Sequence, residues 1–213
     1  GILSEDELNL PNWVSLGDLD EECEQLLVKW DDKISREITT LSNFVGSVFF
    51  TGRQIKIQDY YFDPLADRFS KSFGAYINKI KEANHKEVTI EYHLVDHNKF
   101  GLEKFAEHCS FALTKYLHDE YSVKFFHWES FKNSQRVHAR QIMPERAGIR
   151  IDSGTDTIKS SEDDVTYVNI ISTENLREAR ADFSEASNVY KLNGIIILQP
   201  SGETKIIDKN KKH

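Results

Sequence analysis

Residues 137–156 read VHARQIMPERAGIRIDSGTD. Val137 to Met143 and Gly148 to Asp152 are two short apolar-alternating runs around Pro144-Glu145-Arg146-Ala147, the pattern of a β-hairpin. Alternate side chains of a strand share a face. His138 and Arg140 are therefore expected side by side. On the returning strand Arg150 and Asp152 share one face, and Ile149 and Ile151 take the other. Ser153-Gly154 then turns the chain.

Outward from this hairpin the pattern alternates between periods of two and of three to four residues. Ile34, Ile38, Leu41, Val45 and Val48 predict a helix from about 31 to 50. Ile55 and Ile57 predict a strand over 54–59. Leu65, Phe69, Phe73, Ile77 and Ile80 form a helical stripe, with Asp63-Pro64 as its start signal. Strands follow at 88–95 and 123–128, with an amphipathic helix at 100–117 between them. After the hairpin come a polar loop over 153–164, a strand over 165–171 and a polar helix from Thr173. Glu and Arg alternate along that helix, which reads as a solvated face. Strands at 195–198 and 205–207 flank a turn at Ser201-Gly202. This order predicts an α/β fold, a mixed β-sheet flanked by helices on both faces. Residues 1–30 read as an N-terminal helical accessory segment, 31–208 as the α/β domain and 209–213 as a mobile tail.

Composition narrows the function classes. Thirteen Phe, eight Tyr and three Trp in 213 residues argue against general disorder. A net charge of -8 disfavours a non-specific nucleic-acid binder. Cys23 and Cys109 are too few for a disulfide framework and read as reduced thiols, so a cytoplasmic setting is expected. No apolar run approaches the roughly 20 residues that span a membrane. The stretch GILSEDELNLP is acidic, unlike a signal peptide's basic start. No Walker loop, G-x-G-x-x-G or G-x-S-x-G is present, which argues against NTPase, dinucleotide and α/β-hydrolase chemistry.

The chemistry sits in the hairpin. An imidazole beside a fixed cation can attack phosphorus or move a proton. A guanidinium can hold two phosphate oxygens. A carboxylate that follows can orient the imidazole. The stretch resembles a degenerate phospholipase D superfamily motif, which carries H-x-K-x4-D and then G-S-x-N on a strand-turn-strand hairpin. His138 stands at the histidine position, Arg140 at the lysine and Glu145 at the aspartate. Ser153-Gly154-Thr155-Asp156 falls where G-S-x-N would be, one place out of register. The chain is similar, more specifically, to a divergent group that includes the C-terminal domain of MIT-domain trafficking proteins and small bacterial proteins. These read roughly H-x-R-x-I, a Gly-containing turn and G-x-D, with a D-P-Y-like element after an early strand. That element is IQDYYFDP at 57–64 here.

The resemblance implies a phospholipase-D-like domain whose chemistry needs no metal and no cofactor. Arg at the lysine position binds phosphate but stays protonated, so it is a poor proton donor. A single motif is visible where the family's active sites use two, so an enzyme would pair His138 with its copy in a homodimer. The expected function is non-hydrolytic recognition of a phosphate-bearing ligand (nucleic acid or lipid headgroup) or of a protein partner, within a bacterial multi-gene system. The phosphate set is Arg140, Arg150 and Ser153, and the groove is lined by Asp59, Tyr60 and His93. One alternative is a metal-independent phosphodiesterase or nuclease. It would use His138 as nucleophile, Arg140 as clamp, and Glu145, Asp152 or Asp156 as the acidic group. The other is an acidic interaction scaffold. A metal site at His93 and His97, completed by His127 or Asp59, is a weaker reading, because histidine pairs alone are weak signals.

Overall fold

The computed structural model describes residues 32–84, 87–95, 101–118, 121–130, 140–157 and 164–211. The N-terminal accessory segment, Cys23, His97 and His138 lie outside the described residues. Among those described, nine strands form one mixed sheet and four α-helices cover it. The order along the chain is β1 (Asp32–Ser35), α1 (Ile38–Phe49), β2 (Gln54–Gln58), α2 (Asp67–Glu82), β3 (Thr89–Val95), α3 (Leu102–Leu113) and β4 (Val123–Ser130). Then come β5 (Gln141–Met143), β6 (Gly148–Ile151), β7 (Val165–Ile171), α4 (Thr173–Asp182), β8 (Tyr190–Leu198) and β9 (Thr204–Asp208). Across the sheet the order is β1-β7-β6-β5-β2-β3-β4-β8-β9. Among the described strands only β2–β3 and β3–β4 pair in parallel, because α2 and α3 carry the chain back across one face between them. No described helix is long and apolar enough to cross a membrane.

The two faces of the sheet hold different cores. Ile55, Ile57, Tyr92, Phe125, Ile142, Ile149 and Ile151 point toward α1, α2 and α3. Phe69, Phe73, Ile77 and Ile80 of α2 meet them as one helical stripe. Phe62, Phe73, Tyr92 and Phe125 form an aromatic cluster there, with Phe62 and Tyr92 centroids 4.9 Å apart. Each such ring contributes about 2–3 kcal/mol by burial. Gly74 lets α2 approach the Tyr116 turn, since a Cβ there would collide with the Tyr116 ring. On the opposite face Phe126, Trp128, Met143, Tyr190 and Ile195 pack under α4.

Three expectations need correction. The predicted helix from 31 begins only at Ile38, capped by Glu37, whose carboxylate accepts from Thr40 N at 2.9 Å. Residues 32–35 instead form an edge strand, because β7 offers them an antiparallel partner far along the chain. The helix after Pro64 starts at Asp67, and Asp63 closes a local turn by accepting from Leu65 N at 3.0 Å. The polar helix from Thr173 is not merely a solvated face. Its Leu176 is buried, and α4 roofs the second side of the sheet.

Candidate functional site

The hairpin forms over narrower bounds than predicted, Gln141–Met143 and Gly148–Ile151, with Gln141 opposite Arg150 and Ile142 opposite Ile149, and residues 137–139 lie outside the described residues. Ile142, Ile149 and Ile151 enter the larger core. Gln141 and Arg150 therefore face the α4 side. Arg140 lies one residue out of phase, opposite Ile151, whose N–H it accepts at 2.9 Å. Its guanidinium donates to the Asp152 carbonyl at 2.7 Å and lies over the Tyr61 ring, 5.3 Å from the centroid. The structure thus separates the expected phosphate set. Arg150 turns to one face, Arg140 to the other, and the Ser153 N–H donates to Thr166 Oγ1 at 3.1 Å. Among the described residues neither arginine forms an ion pair with a carboxylate.

The carboxylates around Arg140 hold the turn at 153–157 in place. Asp59 follows β2 and is 1% exposed. Its Oδ1 accepts from Tyr61 N at 3.0 Å, and its Oδ2 from Thr155 N at 3.0 Å and Thr155 Oγ1 at 2.7 Å. Tyr76 Oη donates to the Thr155 carbonyl at 2.7 Å, and Ser72 bonds Thr157. Buried Asp156 pairs with Arg36 at 3.1 Å and Arg68 at 3.4 Å. Burial pushes its carboxyl above the usual aspartate range, and the two arginines partly offset this. Gly154 has φ +114, the left-handed region that the turn requires. Asp59 and Asp156 are thus engaged in backbone and guanidinium contacts that fix the turn. We expect Asp59→Asn to cost about 2 kcal/mol, because an amide nitrogen would face donors that a carboxylate now satisfies. Urea denaturation of the variant measures this, and an unchanged midpoint would refute the clamp.

Glu145 does not join this group. It sits in the β5–β6 turn and accepts from Gln54 N at 3.0 Å, at the start of β2. Asp59 lies beyond the other end of that strand, roughly 17 Å away at about 3.4 Å per residue. Nor do Tyr60 and His93 line the groove. Tyr60 is buried with its hydroxyl 3.4 Å from that of Tyr190, and His93 is fully buried. His127 turns to the opposite face from His93, edge-on to Phe105 at 4.6 Å, so the two histidines cannot share an ion. Among the described residues no three histidine, cysteine or acidic side chains come together as a metal site.

The second face carries a polar row, of which the sequence pointed only to His93. Lys56, Gln58, Glu91 and His93 alternate with core residues on β2 and β3 and are all buried. Lys56 Nζ lies 3.6 Å from Glu91 Oε2 and donates to the carbonyls of Phe183 at 2.5 Å and Arg180 at 3.3 Å. It thereby places a cation at the C-terminal end of α4, where the helix dipole favours it. Arg180 reaches back to Gln54 and to the Met143 carbonyl. His93 Nδ1 accepts from the Trp128 indole at 3.0 Å, so its proton sits on Nε2, which points to Glu91 at 3.4 Å. Burial, partly offset by Glu91, holds His93 down at about 4. Burial alone would raise Glu91, but His93 and Lys56 bring it below the usual range.

Beside this row, α4 and the sheet enclose a cavity of about 460 Å³. Gln58 and Gln141 are its most buried polar lining, 1% and 4% exposed. Phe183 and Tyr190 line it as a stacked pair, with centroids 5.1 Å apart and planes 13° from parallel. Arg150 and Asp152 stand exposed at its edge, where Ser172 and Asn175 bring the first turn of α4. Glu178 and Asp182 add two further carboxylates. Partial burial, then the neighbouring Glu178, raises Asp182 above the usual range. The available sequence signal was the alternation QIKIQ at 54–58, whose polar members cannot all face solvent on a central strand. No protein-family model matches the chain, and no curated protein matches it.

Proposed function

We propose that this chain is a non-hydrolytic binding module on a phospholipase-D-like α/β sheet, and that it recognises a phosphate-bearing ligand at the mouth of the α4 cavity. The observation that carries this reading is the contrast between the acids and the arginine. Asp59, Glu145 and Asp156 are each engaged in bonds that hold the fold. Arg150 is exposed at the cavity and has no carboxylate partner among the described residues. A guanidinium in that position suits a phosphate oxygen pair. The three carboxylates on the cavity wall oppose a polyanion, so a single phosphate or phosphodiester fits better than a triphosphate or a length of duplex DNA.

Two measurements test this. Turnover of bis-p-nitrophenyl phosphate in EDTA is expected to be indistinguishable from buffer; turnover that His138→Ala removes would establish the enzyme reading instead. Titration with nucleoside 5′-monophosphates and with inositol monophosphate separates a nucleotide from a lipid headgroup. Arg150→Glu is expected to weaken whichever binds by at least about tenfold, the loss of one charge-assisted contact. Equal affinity in the variant would remove phosphate recognition from Arg150.

A further inference from the structure

We infer that the floor of the α4 cavity reads the edge of a nucleobase through Gln58 and Gln141. The inference deepens the ligand-binding reading above and rests on this cavity being the site. Gln58 on β2 and Gln141 on β5 are register partners, so their side chains leave the same face of the sheet as neighbours. Gln58 Nε2 and Gln141 Oε1 are both buried, and neither has a hydrogen-bond partner among the described residues. Burial, then Tyr190, raises the Tyr60 hydroxyl well above the ordinary tyrosine range, and the nearby Gln58 amide offsets this only in part; its Nε2 completes no hydrogen bond among the described residues. Unmet buried polar atoms are costly, and these two amides do not pair with each other. Here a buried donor and a buried acceptor stay unmet at paired positions of two hydrogen-bonded strands, on residues that line the cavity.

That pair complements a planar edge with an acceptor next to a donor. Uracil presents O4 and N3–H, cytosine N3 and its amino group, and adenine N7 or N1 beside its amino group. Rotating both amides exchanges their roles and leaves one donor beside one acceptor. The remaining walls suit the same ligand. Phe183 and Tyr190, buried and stacked on each other, give the cavity an aromatic wall, and base–aromatic contact is favourable whatever the base. A cavity of about 460 Å³ lies within the range for small-molecule sites. The wall carries one guanidinium against the carboxylates of Asp152, Glu178 and Asp182, so an uncharged group belongs at the floor and any phosphate at Arg150. Exposure follows that order, from buried Gln58 and Gln141 to exposed Arg150.

The test is calorimetric titration of the full chain with uridine, cytidine, adenosine and guanosine, with their 5′-monophosphates and with glycerol phosphate. 3-Methyluridine and N6,N6-dimethyladenosine serve as edge-blocked probes. At least one nucleoside is expected to bind wild type, and blocking its edge is expected to weaken it by at least about tenfold. Gln58→Met and Gln141→Met should each weaken the same nucleoside about tenfold. Without ligand they should melt no lower than wild type, and about 2–4 °C higher where the unpaired amide is removed cleanly. Failure of every nucleoside to bind, or equal binding of the methylated probe, overturns the inference with wild type alone. A nucleoside that binds without gain from its phosphate leaves the base reading standing and removes the phosphate reading. Glycerol phosphate or a monophosphate that binds both glutamine variants as tightly as wild type does the reverse.

Discussion

Replacing Lys56 with methionine lowers the stability of the fold by about 3–5 kcal/mol, the usual consequence of removing one partner from a buried ion pair. Lys56 and Glu91 are both 6% exposed, and their charged atoms lie 3.6 Å apart. The methionine fills much of the same volume, so packing changes little. What remains is the Glu91 carboxylate, which loses its cation while still buried. Two carbonyls at the end of α4 lose their donor as well. In a chain of 213 residues this corresponds to a fall in Tm on the order of 10 °C. Removing Glu91 too, in Lys56→Met with Glu91→Leu, is expected to recover much of the loss, because an apolar pair of similar size carries no desolvation cost. Thermal melts of the two variants decide the matter. A single variant as stable as wild type would show that Glu91 is not held as an anion by Lys56.

Acidification is expected to destabilise the protein through His93. Its ordinary pKa is 6.5, and in the folded protein burial lowers it to about 4. Between these values the unfolded chain binds a proton that the folded protein refuses. The stability is therefore complete above about pH 6.5 and declines as the pH falls toward 4. The full span is worth about 3 kcal/mol, of which about 2 kcal/mol is lost between pH 7 and pH 5. His93 is fully buried between the Trp128 indole that donates to it and the Phe126 ring stacked 4.9 Å away, so the charged form would lose its bulk solvation. His93→Gln removes this dependence, because an amide does not titrate. Urea denaturation at pH 7 and pH 5 compares the two proteins. Parallel losses in both would place the acid sensitivity elsewhere, with Asp156 excluded as its source, since a raised carboxyl pKa acts with the opposite sign.

The secondary structure was largely legible because its signals are local. Phe69, Phe73, Ile77 and Ile80 recur at the helical period, and α2 needs only its neighbours to display that stripe. The hairpin at 141–151 shows both its alternation and its turn. β1 was hidden because four residues seldom reveal a period, and only pairing with β7 makes them a strand. The role of α4 was hidden for a related reason. One buried leucine and a half-buried alanine make a weak stripe, while much of its contact with the sheet comes from Lys56 and Arg180 reaching across to backbone carbonyls.

Taken alone, the sequence determined the alternation of strand and helix, the mixed sheet and the hairpin, because hydrophobic period and turn chemistry act within a few residues. It also determined that Gln54, Lys56 and Gln58 share a face, since a strand has only two. Only the tertiary structure decided which strand lies alongside and which helix covers that face. Register places Gln58 against Gln141 and Lys56 near Glu91, and it sends Arg140 and Arg150 to opposite sides. A shift of one residue would reverse every one of these assignments, and the energy that resists it comes from whole-face burial rather than from any local segment.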